Sequence, residues 1–126
     1  MPRRTRVLVV EDDDDLRHLF RVTLALAGFD VAEARTGLEA LARIDHNPPD
    51  LVVLDLGLPE ISGAVVREQI AVHAHTRDVP VVVVTGSDAN LDALDVDCVL
   101  RKPVSPAQLV ITVKSCLASG SRGIGA

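Results

Sequence analysis

The sequence predicts an α/β fold: a doubly wound, five-stranded parallel sheet with helices on both faces. Three observations predict it. Short runs rich in valine and leucine recur along the chain, at 6–10, 48–56 and 80–86. Apolar runs of that kind are strands buried on both faces, as parallel sheets require. Segments whose apolar residues recur at helical spacing lie between them. Strand and helix therefore alternate in a βαβαβαβαβα pattern, which implies parallel pairing and right-handed crossovers.

Each element has its own signal. "RVLVV" (6–10) is a β-branched run ended by acids. "DDLRHLFRVTLALAG" (14–28) carries Leu16, Leu19, Phe20, Val22, Leu24 and Leu26, with Gly28 as a stop. "FDVAEA" (29–34) alternates as a strand does. "TGLEALARI" (36–44) opens with Thr36 and Glu39 at capping-box spacing. "PPDLVVLDL" (48–56) is a buried strand behind a proline break, and "SGAVVREQIAVHA" (62–74) reads as a helix. "PVVVVTG" (80–86) is the most strand-like run. "DANLDAL" (88–94) has room for one or two helical turns, and "DCVLRKP" (97–103) is the last strand. "SPAQLVITVKSCL" (105–117) has Ser105 at a cap, Pro106 at the first helical position and Gln108 closing a capping box. The expected domain covers 1–118, followed by a small-residue, flexible tail at 119–126.

Composition narrows the function. The 126 residues suit one domain with one core, and 48% are hydrophobic. Aromatics are 2%, with no Trp or Tyr, which disfavours base stacking. A net charge of −5 without a basic run disfavours nucleic acid and anionic membranes. No secretory-type segment or membrane-length apolar stretch is visible, so the expected location is the cytoplasm. Cys98 and Cys116 lack metal-type spacing and are read as reduced, structural thiols. His18, His46, His73 and His75 fall on helix faces or in a loop, with no pairing to the acids described next.

The polar residues fall where the strands end. In an open parallel sheet, ligands bind beyond the carboxyl ends of the strands. Glu11 and Asp12 follow the first strand, Asp55 ends the third, Thr85 then Gly86 end the fourth, and Lys102 ends the fifth. Three acids, a hydroxyl and an ammonium should thus converge at one edge. The acids supply hard oxygen ligands of the kind Mg²⁺ takes. A bound cation would relieve the repulsion in the run "EDDDD" (11–15). Asp13, Asp14 and Asp15 are then left for the first turn of the following helix, where the dipole favours negative charge.

Four motifs, in order and each at a strand end, carry a family resemblance. They are "VVEDD" (9–13), "LVVLDLGLP" (51–59) with Gly63 behind it, "VVVVTG" (81–86) and "LRKP" (100–103). With them the chain resembles the CheY-like receiver domain of two-component response regulators, over roughly residues 5 to 118. The resemblance implies a flavodoxin-like (βα)5 fold with strand order 2-1-3-4-5. It implies that Asp55 is the phosphoacceptor, taking a phosphoryl group from phosphohistidine on a histidine kinase or phosphotransfer protein. Asp12 and Asp55 would hold Mg²⁺ with the backbone carbonyl of Gly57, and Glu11 would do so through water. Lys102, Thr85 and the amide of Gly86 would meet the phosphoryl oxygens. The chain would not be an enzyme acting on a separate substrate; it would take part in its own phosphoryl transfer and hydrolysis. If these 126 residues are the whole protein, it is expected to be a stand-alone, monomeric receiver.

The chain departs from the family pattern in three places. Val99 stands where receivers usually carry an aromatic, three residues before the lysine, and Val104 replaces a usual Phe. Seventeen positions take Thr85 to Lys102, where typical receivers use about one to one and a half helical turns more. The loss falls on a shortened fourth helix at 88–94. Rival readings fare worse. A haloacid-dehalogenase-type phosphatase wants a second acid two residues after the nucleophile, where this chain has Gly57. A flavodoxin-type electron carrier wants a phosphate cradle after the first strand, where this chain has acids. The alternative kept open is a non-phosphorylated pseudo-receiver acting as a protein-binding module.

Overall fold

The structure, a computed structural model, describes residues 3–86 and 98–120. Five strands are described: β1 (Arg6–Val10), β2 (Asp30–Ala34), β3 (Leu51–Asp55), β4 (Val81–Thr85) and β5 (Cys98–Arg101). They form one sheet in the order β2-β1-β3-β4-β5, and every pairing is parallel. The described helices are α1 (Asp14–Leu26), α2 (Gly37–His46), α3 (Gly63–Val72) and α4 (Pro106–Gly120). This is the predicted flavodoxin-like architecture. The helix expected at 88–94 lies outside the described residues, as do 121–126 of the expected tail.

Two cores, one on each face, hold the sheet. Val7 and Val9 of β1 face one way and join Phe20, Leu24, Leu51, Val53, Val82, Val84, Leu109 and Val113 beneath α1 and α4. Leu8 and Val10 face the other way and join Ala40, Ile44, Val52, Leu54, Val66 and Ile70 beneath α2 and α3. Side chains on a strand alternate between faces, so a central strand needs apolar residues at every position. That is why β1 and β3 read as unbroken apolar runs. β2 is an edge strand and keeps exposed Asp30 and Ala32–Glu33 alternation around its single buried residue, Ala34.

Helix starts follow their capping chemistry. Ser105 Oγ accepts from the Gln108 amide while the Gln108 side chain accepts from the Ser105 amide, both at 3.1 Å, a full capping box. At α2 the box is displaced. Thr36 Oγ1 accepts from the Glu39 amide at 3.0 Å, but the Glu39 carboxylate takes the Arg35 amide rather than that of Thr36. At α1 the acid run divides one residue later than expected. Asp13 is the N-cap, accepting from the Leu16 amide at 2.9 Å, and only Asp14 and Asp15 lie in the first turn. The amino-terminal approach to the sheet is clamped: Asp50 accepts both terminal nitrogens of Arg3, at 2.9 and 3.0 Å, and the Arg6 amide at 2.8 Å.

Candidate functional site

The strand order reverses between β1 and β3, and the residues leaving these strands meet at that crevice. Glu11 follows β1 directly, and its amide still bonds to the Ala34 carbonyl at 3.1 Å. Asp55 is the last residue of β3, in register with Val84 of β4. Thr85 closes β4 beside Arg101, and the Lys102 amide bonds to the Thr85 carbonyl at 2.8 Å. Parallel register thus brings four strand ends to one edge.

The side chains at this edge are packed closely. One carboxylate oxygen from each of Glu11, Asp12 and Asp55 lies within 4.8 Å of the other two. Glu11 is 1% exposed and Asp55 4%, whereas Asp12 is open to solvent. One oxygen of each buried acid is held by a nearby amide: Glu11 Oε2 by Asp13 at 3.1 Å, Asp55 Oδ1 by Gly57 at 3.0 Å. The other oxygen of each faces Lys102, whose Nζ lies 3.1 Å from Glu11 Oε1 and 3.4 Å from Asp55 Oδ2. The contact to Glu11 is an ion pair without hydrogen-bond alignment, so Oε1 is a buried acceptor with no hydrogen bond. Thr85 is 2% exposed, and the Lys102 stem runs alongside Gly86, its Cδ at ordinary contact distance, 3.6 Å, from where a Cβ would lie.

Crowding shows in the ionisation. Burial pushes the Glu11 carboxyl up to about 7, and the Asp55 charge pushes the same way, against the opposing effects of the Asp13 amide and Lys102. Burial alone would lower the Lys102 pKa. Its contacts with Glu11 and Asp55 outweigh burial and hold it above the usual lysine value. A single ammonium between two buried carboxylates leaves the cluster with excess negative charge, and Asp12 adds to it. An all-oxygen donor set and an orphaned buried acceptor fit a hard divalent cation. Glu11, Asp12 and Asp55 could hold one.

The loop after β3 is shaped by close approach. A Cβ on Gly63 would fall on the Asp55 carbonyl oxygen and 2.7 Å from Leu56 Cα, so only glycine lets α3 start against the end of β3. Glu60, in the turn before it, has φ +65°, a left-handed conformation uncommon outside glycine.

The four histidines are exposed and stand outside the acid cluster. His73 and His75 line a cavity of about 370 Å³ between α2 and α3, with Ile44 and Ile70. Arg17 was not singled out by the sequence reading. Its Nη1 donates to the Glu11 carbonyl at 3.0 Å, a contact that no local motif announces.

Comparison with known proteins agrees with this architecture. The family model for the response regulator receiver domain matches residues 7–114. The polar-differentiation response regulator DivK of Brucella ovis is 32% identical over 116 residues, covering 88% of this chain and 94% of that protein. A CheY-like receiver domain protein from Methanospirillum hungatei superposes with a TM-score of 0.87 at 25% identity, covering 96% of this chain and 99% of that one. The chemotaxis response regulator CheY4 of Vibrio cholerae gives 0.84 at 24% identity, covering 90% and 99%, a likeness that speaks for the fold alone. From the family match and the DivK similarity, the chain belongs to the response regulator receiver domain family.

Proposed function

We propose that the chain is the phosphoacceptor module of a two-component phosphorelay, receiving a phosphoryl group on Asp55. One observation carries the reading: a buried aspartate lies in a cluster of three acids within 4.8 Å, with a lysine ammonium 3.4 Å away. A carboxylate oxygen of Asp55 attacks phosphorus, and the P–N bond to a partner's phosphohistidine breaks. The electron pair stays on the imidazole nitrogen, leaving an acyl phosphate on Asp55. Asp12, Asp55 and the Gly57 carbonyl, with Glu11 through water, would hold Mg²⁺, whose positive charge would offset that of the phosphoryl oxygens. Lys102 pairs with one of those oxygens, and the Thr85 hydroxyl and Gly86 amide donate to others. Water later hydrolyses the acyl phosphate, resetting the module.

The donor is a histidine kinase or a histidine phosphotransfer protein. Leu19 on α1 is 44% exposed and offers an apolar contact to such a partner. Phe20, next to Leu19 among the apolar residues of α1, is 2% exposed and belongs to the core, because it points along the same face as Leu24. No described helix is long and apolar enough to cross a membrane. The chain acts in the cytoplasm as a monomer. Acetyl phosphate with Mg²⁺ should add one phosphoryl group to the wild-type chain, read by intact mass, and Asp55→Asn should take up none. Undiminished uptake by that variant would contradict the assignment.

A further inference from the structure

We infer that Arg17 is a positioning residue of the acid cluster, fixing Glu11 and Asp12 from behind through the Glu11 carbonyl. The inference rests on the magnesium reading above and concerns a residue remote from the transferring group. Arg17 is nearly buried, its side chain 12% exposed, and its guanidinium is used in three directions. Nη1 donates to the Glu11 carbonyl at 3.0 Å. Nη2 meets Asp14 Oδ1 at 2.6 Å, and Nε meets Glu33 Oε1 at 3.2 Å. Two acids on separate elements, α1 and β2, therefore aim one planar donor at one carbonyl.

The target carbonyl matters because of where it lies. The Glu11 amide is tied to Ala34 of β2, and the Glu11 carbonyl to Arg17. The peptide leaving Glu11 is thereby held on both sides just as the chain quits the sheet. That peptide carries Asp12, and the Asp13 amide beyond it holds Glu11 Oε2. Freed from Arg17, the Glu11–Asp12 peptide could rotate, and both acids would lose their shared orientation. Outer-shell hydrogen bonds set ligand direction in this way.

Coulomb's law alone predicts the opposite sign. Arg17 is a cation near a cation site, so removing its charge should tighten Mg²⁺ binding. Positioning predicts that removal weakens it. Arg21 provides the control, since it pairs with the same Glu33, at 3.3 Å, with no contact to Glu11.

The test is calorimetric titration of the full chain with Mg²⁺, beside thermal melts in EDTA. Arg17→Met should raise the Mg²⁺ Kd roughly tenfold, the low end of what losing an outer-shell partner costs. Arg21→Met should leave it unchanged or slightly lower. Arg17→Lys keeps the charge but cannot serve three partners with one ammonium, so its Kd should fall between wild type and Arg17→Met. A purely structural Arg17 would lower the melting temperature and leave the Kd of the folded protein alone. Wild-type or tighter binding in Arg17→Met would overturn the inference. Should that variant not fold, wild-type binding in Arg17→Lys would do so. If the wild-type chain binds no Mg²⁺, the metal reading fails separately. The hold on Glu11 is then read from amide exchange in EDTA: Arg17→Met should speed the Asp13 amide selectively, and Arg21→Met should not. No selective change would overturn it.

Discussion

Asp55, Lys102 and Gly63 show how single residues make this site. Asp55 and Lys102 could be placed at one edge from the sequence because Asp55 ends, and Lys102 directly follows, a run that must be a strand. In a parallel sheet all strand ends with the same sense share one edge. Gly63 was legible as part of a motif, but its reason was not. The approach of its Cα to the Asp55 carbonyl and to Leu56 Cα appears only in three dimensions. Gly63→Ala should therefore cost stability by about 3 kcal/mol, since the added methyl meets backbone rather than a side chain that could turn away. Urea unfolding would show the loss, and a variant within about 0.5 kcal/mol of wild type would contradict that packing. Arg17 was illegible because its partner carbonyl is six positions back and is reached only once the chain has turned from β1 into α1. That Phe20 is buried while its neighbour Leu19 is exposed was illegible for a related reason. α1 carries leucines at 16, 19, 24 and 26, so apolar spacing by itself did not single out the buried side.

At the scale of elements, the capping boxes and strand runs were plain, while boundaries inside uniform stretches were not. Five consecutive acids give no signal for which one caps α1. The structure gives the role to Asp13 because its carboxylate reaches the Leu16 amide. The start of β1 depends on a clamp that the sequence does not announce, Asp50 against Arg3 and the Arg6 amide. The Arg3 hydrogen bond is the main reason the Asp50 pKa lies below its ordinary 3.8, with burial opposing and the Arg6 amide helping. A carboxylate whose folded pKa is depressed adds stability that is present above its unfolded value. That stability is lost as pH falls through the folded pKa. Asp50→Asn should thus be less stable than wild type at neutral pH, and the gap should close as pH drops below 3.8. The gap should also be small, since both partners are partly solvated. Denaturant melts across that range would check it, and a gap that widened in acid would contradict the clamp.

For the whole molecule, the sheet is a device for gathering acids, and that gathering has a cost. Two buried carboxylates and a third beside them share one lysine, with Glu11 Oε1 left without a hydrogen bond. A cation bound only by the folded state relieves this and stabilises by linkage, about 2.7 kcal/mol at a hundred times its Kd. Thermal melts should therefore rise with Mg²⁺, and Asp12→Ala should remove most of that rise. A melt indifferent to Mg²⁺ would favour the pseudo-receiver reading. The parallel sheet with helices on both faces and the edge on which the acids meet were predictable from periodicity and parallel connection, whereas the strand order followed from the family resemblance. The most direct test of the central claim is chemical mapping of the phosphoryl site. After acetyl phosphate treatment, borohydride reduces an aspartyl phosphate to homoserine, and peptide sequencing by mass locates it. Homoserine is expected at position 55 alone, and only when Mg²⁺ is present. Homoserine at another acid, or equal conversion in EDTA, would contradict it.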